Sequence, residues 1–381
     1  MSNWEMVSFG SIAEFKNGLN FKSGKTGYEL KILRVVDFQD RTTFDQVDKF
    51  STIHTKKEIN SSYHLHDGDL VFVRSNGNKA LVGRCMLVHC RGEKISFSGF
   101  TIRARFTSEQ VKPEFINLLM QGELLKKVLK KDSRGTNISN LNQNILSKLR
   151  FPLPSIIEQT KLLKFFSNWD IAIEKTEVLI DAKEHQFEWL KSKLLKSVIE
   201  EYQNSKKFLP DICKIRTGKK DVNQGNPEGN YPFFTCAKDH TFSDSYSYDM
   251  EAILLAGNGY IGNPILYRGK FEAYQRTYIL HDFTDVDAKY LNYFLKRSLQ
   301  KKIVQEKQEG AMSYIKLGTL QSIEITVPPI KEQKRIAETL NTAQEEINLL
   351  KKLADQYRTQ KRGLMQKLLS GQWHVKNKEV V

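Results

Sequence analysis

Leu153-Pro154-Ser155-Ile156-Ile157-Glu158-Gln159 returns later in the chain as Val327-Pro328-Pro329-Ile330-Lys331-Glu332-Gln333. The copies stay 174 positions apart from Pro154 and Pro328 down to Lys193-Leu194-Leu195 and Lys367-Leu368-Leu369. A match held without a gap over roughly forty residues is a duplicated long element, and such a repeat decides the architecture before any single motif does. Upstream, the halves repeat more loosely. Phe9 to Gly18 answers Leu209 to Gly218, 200 positions on. Leu70-Val71-Phe72-Val73 before Asn76-Gly77 answers Ile253-Leu254-Leu255-Ala256 before Asn258-Gly259, and Phe115-Ile116-Asn117 answers Tyr290-Leu291-Asn292. The separation shrinks from 200 to 174, so the first copy carries about 26 extra residues, which belong in loops where insertion is cheap.

Apolar positions in the length-locked part recur at alternating steps of four and three, the spacing of a packed helix pair. In the first copy they are Leu162, Phe166, Trp169, Ile173, Thr176, Ile180, Lys183, Phe187, Leu190 and Leu194. In the second they are Ile336, Leu340, Ala343, Ile347, Leu350, Ala354, Tyr357, Lys361, Leu364 and Leu368. Proline is tolerated only in the first turn of a helix, so the proline pairs mark where each helix begins. Each helix is expected to run about 45 residues, or roughly 65 to 70 Å at 1.5 Å per residue. Paired antiparallel about a pseudo-twofold axis, they set Phe187 near Ala343 and Ile180 near Leu350. Such a pair acts as a spacer rod between two globules, which explains why its length is held. A plain dimerisation coiled coil would explain the stripe but not the paired globules.

Each half opens with short apolar runs (Ile32 to Val36, Leu70 to Val73, Ile253 to Leu255, Tyr278 to Leu280) punctuated by Gly, Asn and Asp. That pattern reads as a curved sheet with turns. Phe115 to Lys131 and Tyr290 to Glu306 read as helices. The fold class is therefore α+β: two similar α+β globules joined by two long antiparallel helices.

At 381 residues and 40% hydrophobic content the chain can bury two cores, and no run approaches a bilayer span. The start Met1 to Met6 has neither a basic region nor an apolar core, so no signal peptide is expected. Cys85, Cys90, Cys213 and Cys236 lack C-x-x-C spacing and do not recur between the copies, which argues for reduced thiols rather than a disulfide framework or a zinc site. A soluble cytoplasmic protein follows. Its 59 basic against 44 acidic residues give a net charge of +15, the footprint of a protein that follows a phosphate backbone.

Two variable globules, each followed by a repeated helix that opens at Pro154 to Gln159 or Pro328 to Gln333 and closes at Leu190 to Leu195 or Leu364 to Gly371, resemble the specificity subunit of a type I restriction-modification enzyme. The resemblance covers essentially the whole chain. It implies a target recognition domain at 1–150, a spacer helix at 151–205, a second recognition domain at 206–322, a second spacer helix at 323–373 and a tail at 374–381. Each recognition domain would read one half of a split, asymmetric site in double-stranded DNA. The helices would set the gap and dock two methyltransferase subunits, with restriction subunits added to these. S-adenosylmethionine, ATP and magnesium would belong to those partners, and this chain would be non-catalytic. Two alternatives stay open: a stand-alone bipartite DNA-binding protein, and a coiled-coil scaffold without sequence readout.

The best recognition candidates follow the matched strand. They are Arg74, Ser75, Asn76, Asn78 and Lys79 in the first copy, and Asn258, Tyr260 and Asn263 in the second, with Arg276 nearby. Arg pairs bidentately with guanine, Asn with adenine, and Lys reaches guanine or phosphate. An Asn-Gly turn at the surface is the competing reading. Arg134, Thr136 and Asn137 form a second candidate group, answered by the divergent stretch Gln308 to Ser313. Lys126, Lys127, Lys130, Lys131, Lys219, Lys220, Lys301 and Lys302 are candidates for phosphate contacts.

Enzymatic motifs fail on their spacing. Gly257-x-Gly259-x-x-Gly262 fits a dinucleotide fingerprint, but Pro264 and an extended stretch follow where a helix must start. Gly18 lies six positions before Gly24-Lys25-Thr26, where a phosphate-binding loop needs five. No Asn-Pro-Pro-aromatic element for base methylation is present, Glu158 and Glu332 read as helix caps, and His89 with its neighbouring cysteines has no counterpart in the second copy.

Overall fold

A computed structural model describes residues 4–21, 24, 26–38, 41–44, 50–122, 140–306 and 314–375. The chain divides into two compact units. Residues 1–176 and 353–381 form the first, and 177–352 form the second. Both long helices are thus shared between the units.

The first unit contains strands β1 (Glu5–Ser8), β2 (Ala13–Asn17), β3 (Tyr28–Leu33), β4 (Thr43–Phe44), β5 (Ser51–Thr55), β6 (Leu70–Val73), β7 (Cys85–Val88), β8 (Ile95–Phe97), β9 (Thr101–Phe106) and β10 (Arg150–Leu153), with helices α1 (Pro113–Gln121) and α2 (Gln143–Lys148). Its strands form a five-stranded sheet in the order β2-β9-β6-β7-β4, a three-stranded sheet β5-β3-β8 and the ribbon β1-β10. After β10 comes α3 (Ile156–Glu201), 46 residues long and continuous.

The second unit contains β11 (Lys206–Phe208), α4 (Leu209–Ile212), β12 (Lys214–Thr217), β13 (Tyr231–Phe234), β14 (Thr241–Ser243), β15 (Tyr248–Ala256), β16 (Ile265–Ala273), β17 (Thr277–His281), α5 (Ala288–Glu306), α6 (Leu317–Gln321) and β18 (Glu324–Thr326). One sheet runs β12-β17-β15-β16-β13-β14, and β11 pairs with β18. The 39-residue α7 (Ile330–Leu368) follows. The order β2-β9-β6-β7 is reproduced by β12-β17-β15-β16, so the loose upstream repeat is a repeat of sheet topology. The expected α+β class and internal duplication are what the fold displays.

The central strand of each sheet shows why the apolar runs lack alternation. Leu70 and Phe72 of β6 enter one core with Phe9, Phe115 and Phe151, while Val71 and Val73 enter another with Phe38, Phe44 and Phe97. Likewise Ile253 and Leu255 of β15 face the core holding Tyr290 and Leu291, while Ala252 and Leu254 face Phe234 and Phe271. A strand covered on both faces reads as a continuous hydrophobic run.

Within the first unit the start of α3 packs on the end of α7. Leu162 and Phe166 share a core with Leu368 and Leu369, Trp169 meets Tyr357 edge-on at 5.9 Å, and Lys361 pairs with Asp170. Within the second unit the end of α3 packs on the start of α7, with Phe187 and Leu195 clustered with Ile336, Leu340 and Ile347. Lys183 pairs with Glu346 at 2.8 Å and Glu184 with Lys351 at 2.6 Å. Lys183–Glu346 and Asp170–Lys361 lie one position either side of the register that opposes Phe187 to Ala343. Leu162, Phe166, Ile180, Phe187, Ile336, Leu340, Ile347 and Leu368 are buried, and Trp169, Ile173, Leu190, Leu194, Leu350 and Leu364 are half-buried. The stripe is consumed inside the chain, where each fully buried large side chain contributes about 1.5–3 kcal/mol.

The prolines sit just ahead of the long helices. Pro154 precedes Ile156 by two positions, and Pro328 and Pro329 directly precede Ile330. What fastens each helix to its unit is the glutamine that closes the repeated motif. Gln159 and Gln333 are both 0% exposed. Gln159 Oε1 accepts the Lys112 N–H at 2.8 Å, and its Nε2 donates to the carbonyls of Gln110 at 2.8 Å and Pro154 at 2.9 Å. Gln333 does the same with the Asp287 N–H at 2.8 Å and the carbonyls of Asp285 at 3.1 Å and Pro328 at 2.7 Å. The neighbouring glutamates are less uniform. Glu158 makes only long contacts to Ser155, 3.3–3.4 Å, whereas the Arg335 guanidinium grips Glu332 at 2.6 and 2.8 Å and holds its carboxyl below the usual range.

Candidate nucleic-acid interface

In each unit the central strand delivers the chain to a loop held by the same set of backbone hydrogen bonds. In the first unit the Arg74 N–H donates to the Phe100 carbonyl at 2.8 Å, the Leu141 N–H to Arg74 at 2.8 Å, the Gly18 N–H to Thr101 at 3.1 Å and the Thr101 N–H to Ser98 at 2.9 Å. In the second, Gly257 donates to Arg276 at 2.9 Å, Ile315 to Gly257 at 2.8 Å, Gly218 to Thr277 at 3.0 Å and Thr277 to Tyr274 at 2.8 Å. Gly18 and Gly218 permit this approach. A Cβ on either would lie 2.1 Å from a backbone oxygen of the opposing turn, Ser98 in one unit and Ala273 in the other.

Within that frame Ser75, Asn76 and Gly77 form one wall of an open cleft of about 860 Å³, with Phe21, Val35, Val36 and Phe100 as apolar lining and Arg34 at its edge. Asn76 Oδ1 accepts the Asn78 N–H at 2.8 Å, and Asn78 Oδ1 accepts the Ala80 N–H at 3.0 Å. Both asparagines thus spend their carbonyl oxygens on their own loop, and among the described residues their amide N–H groups make no hydrogen bond. Lys79 is exposed at the start of the short 3₁₀ turn Lys79–Leu81, and Arg74 is half-buried with its guanidinium 3.5 Å from the Gly99 carbonyl.

In the second unit Asn258 bridges to Tyr314, Tyr260 is exposed and anchored by its N–H to the Cys236 carbonyl at 2.9 Å, and Asn263 lies in the following turn. Arg276 is exposed. Gly259 and Gly262 take φ of 66° and 80°, and β16 follows them directly, so the glycine fingerprint is a turn between strands and cannot receive a pyrophosphate at a helix end. Lys219 is exposed. Lys220 is occupied internally, with Nζ 2.7 Å from Ser243 Oγ, 3.0 Å from Ser245 Oγ and 3.9 Å from Glu272. Arg134, Thr136, Asn137, Lys126, Lys127, Lys130, Lys131 and Gln308 to Ser313 lie outside the described residues, as do the side chains of Lys301 and Lys302 in α5.

Two features escaped the sequence reading. Phe100, at the tip of the turn beside the cleft, is 63% exposed. The second is a basic pair on β9. Arg105 clasps the buried Asp69 through Nε at 2.9 Å and Nη2 at 2.7 Å, and Arg103 donates to the Ser62 carbonyl at 3.1 Å, with burial and the Arg105 charge lowering its pKa. Alternate positions of one strand place both guanidinia on the same face, but only knowing the sheet order reveals Asp69 beside them.

Among the described residues no group of three or more His, Cys, Asp or Glu side chains is placed to hold a metal, and no helix is long and apolar enough to cross a membrane. The cysteines are free. Burial pushes the thiols of Cys90 and Cys213 up to about 12, with the Asp67 and Asp69 charges adding to the effect at Cys90, and burial also raises Cys85. At pH 8 a thiol of that kind is ionised to roughly one part in ten thousand. Iodoacetamide at pH 8 is therefore expected to modify Cys236 in the folded chain and the other three only after denaturation, as read by mass spectrometry. Because their folded pKa lies above the unfolded value, these thiols favour the fold at neutral pH, and that contribution fades as pH rises toward 12.

A family model described as the type I restriction modification DNA specificity domain matches residues 1–182 and 200–356. The type I restriction enzyme EcoDI specificity subunit of Escherichia coli is 37% identical over 148 residues; the match takes in 39% of this chain and about a third, 33%, of that protein's length. The crystal structure of a type I restriction-modification S subunit from M. genitalium aligns over 96% of both chains with a TM-score of 0.54 at 14% identity. A chain from a structural study of complex assembly and conformational transition of the type I R-M system aligns over 97% of this chain and 98% of its own, with a TM-score of 0.62 at 15% identity.

Proposed function

Because this chain belongs to the type I restriction modification DNA specificity domain family, we propose that it is the subunit that chooses the DNA site of a type I restriction-modification enzyme, each globule reading one half of a split, asymmetric sequence. The observation that carries this reading is the paired loop frame. Matching backbone hydrogen bonds hold Arg74, where one loop begins, and Gly257, where the other begins, while the side chains that follow differ. A fixed frame with divergent side chains is what two readers of different half-sites need. The net charge of +15 supplies the sequence-independent attraction to phosphate.

In this reading the long helices set the gap between the half-sites and carry two methyltransferase subunits, to which restriction subunits add. S-adenosylmethionine, ATP and magnesium serve those partners. Docking draws on the half-buried positions of the stripe and on the exposed helix faces beside it, where Val178 and Trp189 stand at 63% and 60% exposure. Such a complex works on chromosomal DNA in the cytoplasm.

The test is to co-express the chain with the methyltransferase subunit of its own system and map modified adenines by single-molecule sequencing. A split motif is expected, whose halves change independently when residues 1–150 or 206–322 are exchanged for those of another specificity subunit. A stable complex that modifies DNA without any motif would establish a scaffold instead.

A further inference from the structure

We propose that Phe100 and Arg276 are the matched base-contacting positions of the two units, Phe100 packing on a thymine methyl in one half-site and Arg276 pairing with a guanine in the other. This rests on the DNA-reading function proposed above.

The backbone places the two residues in one role. Each is the third residue of a tight turn, Ser98 to Thr101 and Tyr274 to Thr277, closed by the N–H of its fourth residue onto the carbonyl of its first. Each lends its carbonyl to the N–H of the residue that begins the reading loop, Arg74 in one unit and Gly257 in the other. Each turn is backed by a glycine whose missing side chain lets the chain behind it come close. The turns are also tied from behind by the segment that follows this glycine. The Gly99 N–H donates to Leu19 at 2.7 Å, and the Gln275 N–H donates to Lys220 at 3.0 Å. The tips are therefore rigid on both sides, and a side chain there reaches a groove without an ordering cost.

The chemistry at the two tips is opposite. Phe100 is 63% exposed and continues an apolar wall made by Phe21, Val35 and Val36. A large apolar side chain held out into water at a rigid tip, beside asparagines with free amide N–H groups, fits the one apolar feature of the major groove, the thymine C5-methyl. Arg276 is exposed, and among the described residues its guanidinium makes no hydrogen bond or ion pair. A free guanidinium on a rigid tip fits the O6 and N7 acceptors of guanine.

The test uses the full chain with its methyltransferase subunit and duplexes carrying the mapped motif. Replacing thymines one at a time by uracil removes single methyl groups, and replacing guanines by 7-deazaguanine removes single N7 acceptors. One uracil in one half-site is expected to weaken binding about fourfold, the worth of one buried methyl. That loss disappears in Phe100→Ala and persists in Phe100→Leu, which keeps an apolar tip. One 7-deazaguanine in the other half-site is expected to weaken binding about tenfold, and that loss disappears in Arg276→Ala. Both positions are exposed, so unchanged thermal midpoints are expected for the variants. The proposal is overturned if the analogue losses are unchanged in the variants, if no thymine methyl or guanine N7 matters, or if both variants act on the same half-site. A wild-type complex without any motif overturns the underlying function and the proposal with it.

Discussion

Replacing Gln333 with leucine is expected to cost the second unit on the order of 3–5 kcal/mol and to lower the thermal midpoint by roughly 6–15 °C. Leucine fills nearly the same space, so the loss is one of hydrogen bonding. It strands the Asp287 N–H and the carbonyls of Asp285 and Pro328 in a site where Gln333 is fully buried. Each unsatisfied buried group costs about 1–3 kcal/mol, more than the bond itself contributes net. Gln333→Glu separates shape from chemistry. The carboxylate still accepts from Asp287 but turns an oxygen onto two carbonyls, so it is expected to be no better than leucine. Because Gln159 makes the matching three bonds, Gln159→Leu should lose a similar amount in the first unit. Denaturant titration of the three variants decides the matter. Losses within about 0.5 kcal/mol of wild type, the range of ordinary surface changes, would mean that the glutamines are bystanders.

Asp69→Ala carries the second large effect, about 3–5 kcal/mol, the cost of removing one partner of a buried ion pair. Asp69 is 2% exposed and takes two hydrogen bonds from Arg105 and one, at 2.7 Å, from the His66 N–H. Without it, the Arg105 guanidinium keeps, among the described residues, the His64 carbonyl at 2.9 Å, and the buried Arg103 loses the larger of the two carboxylate charges, Asp69 and Glu14, that offset its own. Asp69 also immediately precedes β6, the strand that leads into Arg74. Hydrogen exchange is expected to show the Leu70–Val73 amides losing protection in Asp69→Ala, while the Ile253–Ala256 amides of β15 keep theirs. Unchanged protection in β6 would show that Arg105 is held by other means.

The features legible in the sequence were those with a period. The gapless 174-residue offset announced two long helices, and the alternating four-and-three stripe placed their contact line, because a helix must bury one face. The runs around Leu70 and Ile253 announced strands of a sheet, though not their central place in it. Elements defined by contacts between distant segments stayed hidden. The repeated glutamine was visible as part of a motif, yet its partners at 110, 112, 285 and 287 lie some 46 to 49 residues away. The capping rule drew attention to the adjacent glutamate instead. Phe100 carries no signal of its own in the sequence, since only the turn formed by folding exposes it. Nothing near Lys220 in sequence foretells its contacts with Ser243, Ser245 and Glu272.

The glutamine seam also bears on how such a chain changes over generations. Every atom that Gln159 or Gln333 touches through these six bonds belongs to the main chain. A fastening that ignores side-chain identity places no demand on the composition of what it fastens, only on the path of the chain for a few residues. Mutational drift, or wholesale recombination upstream of Pro154 and Pro328, can therefore rewrite a reading surface while the join to its helix stays intact.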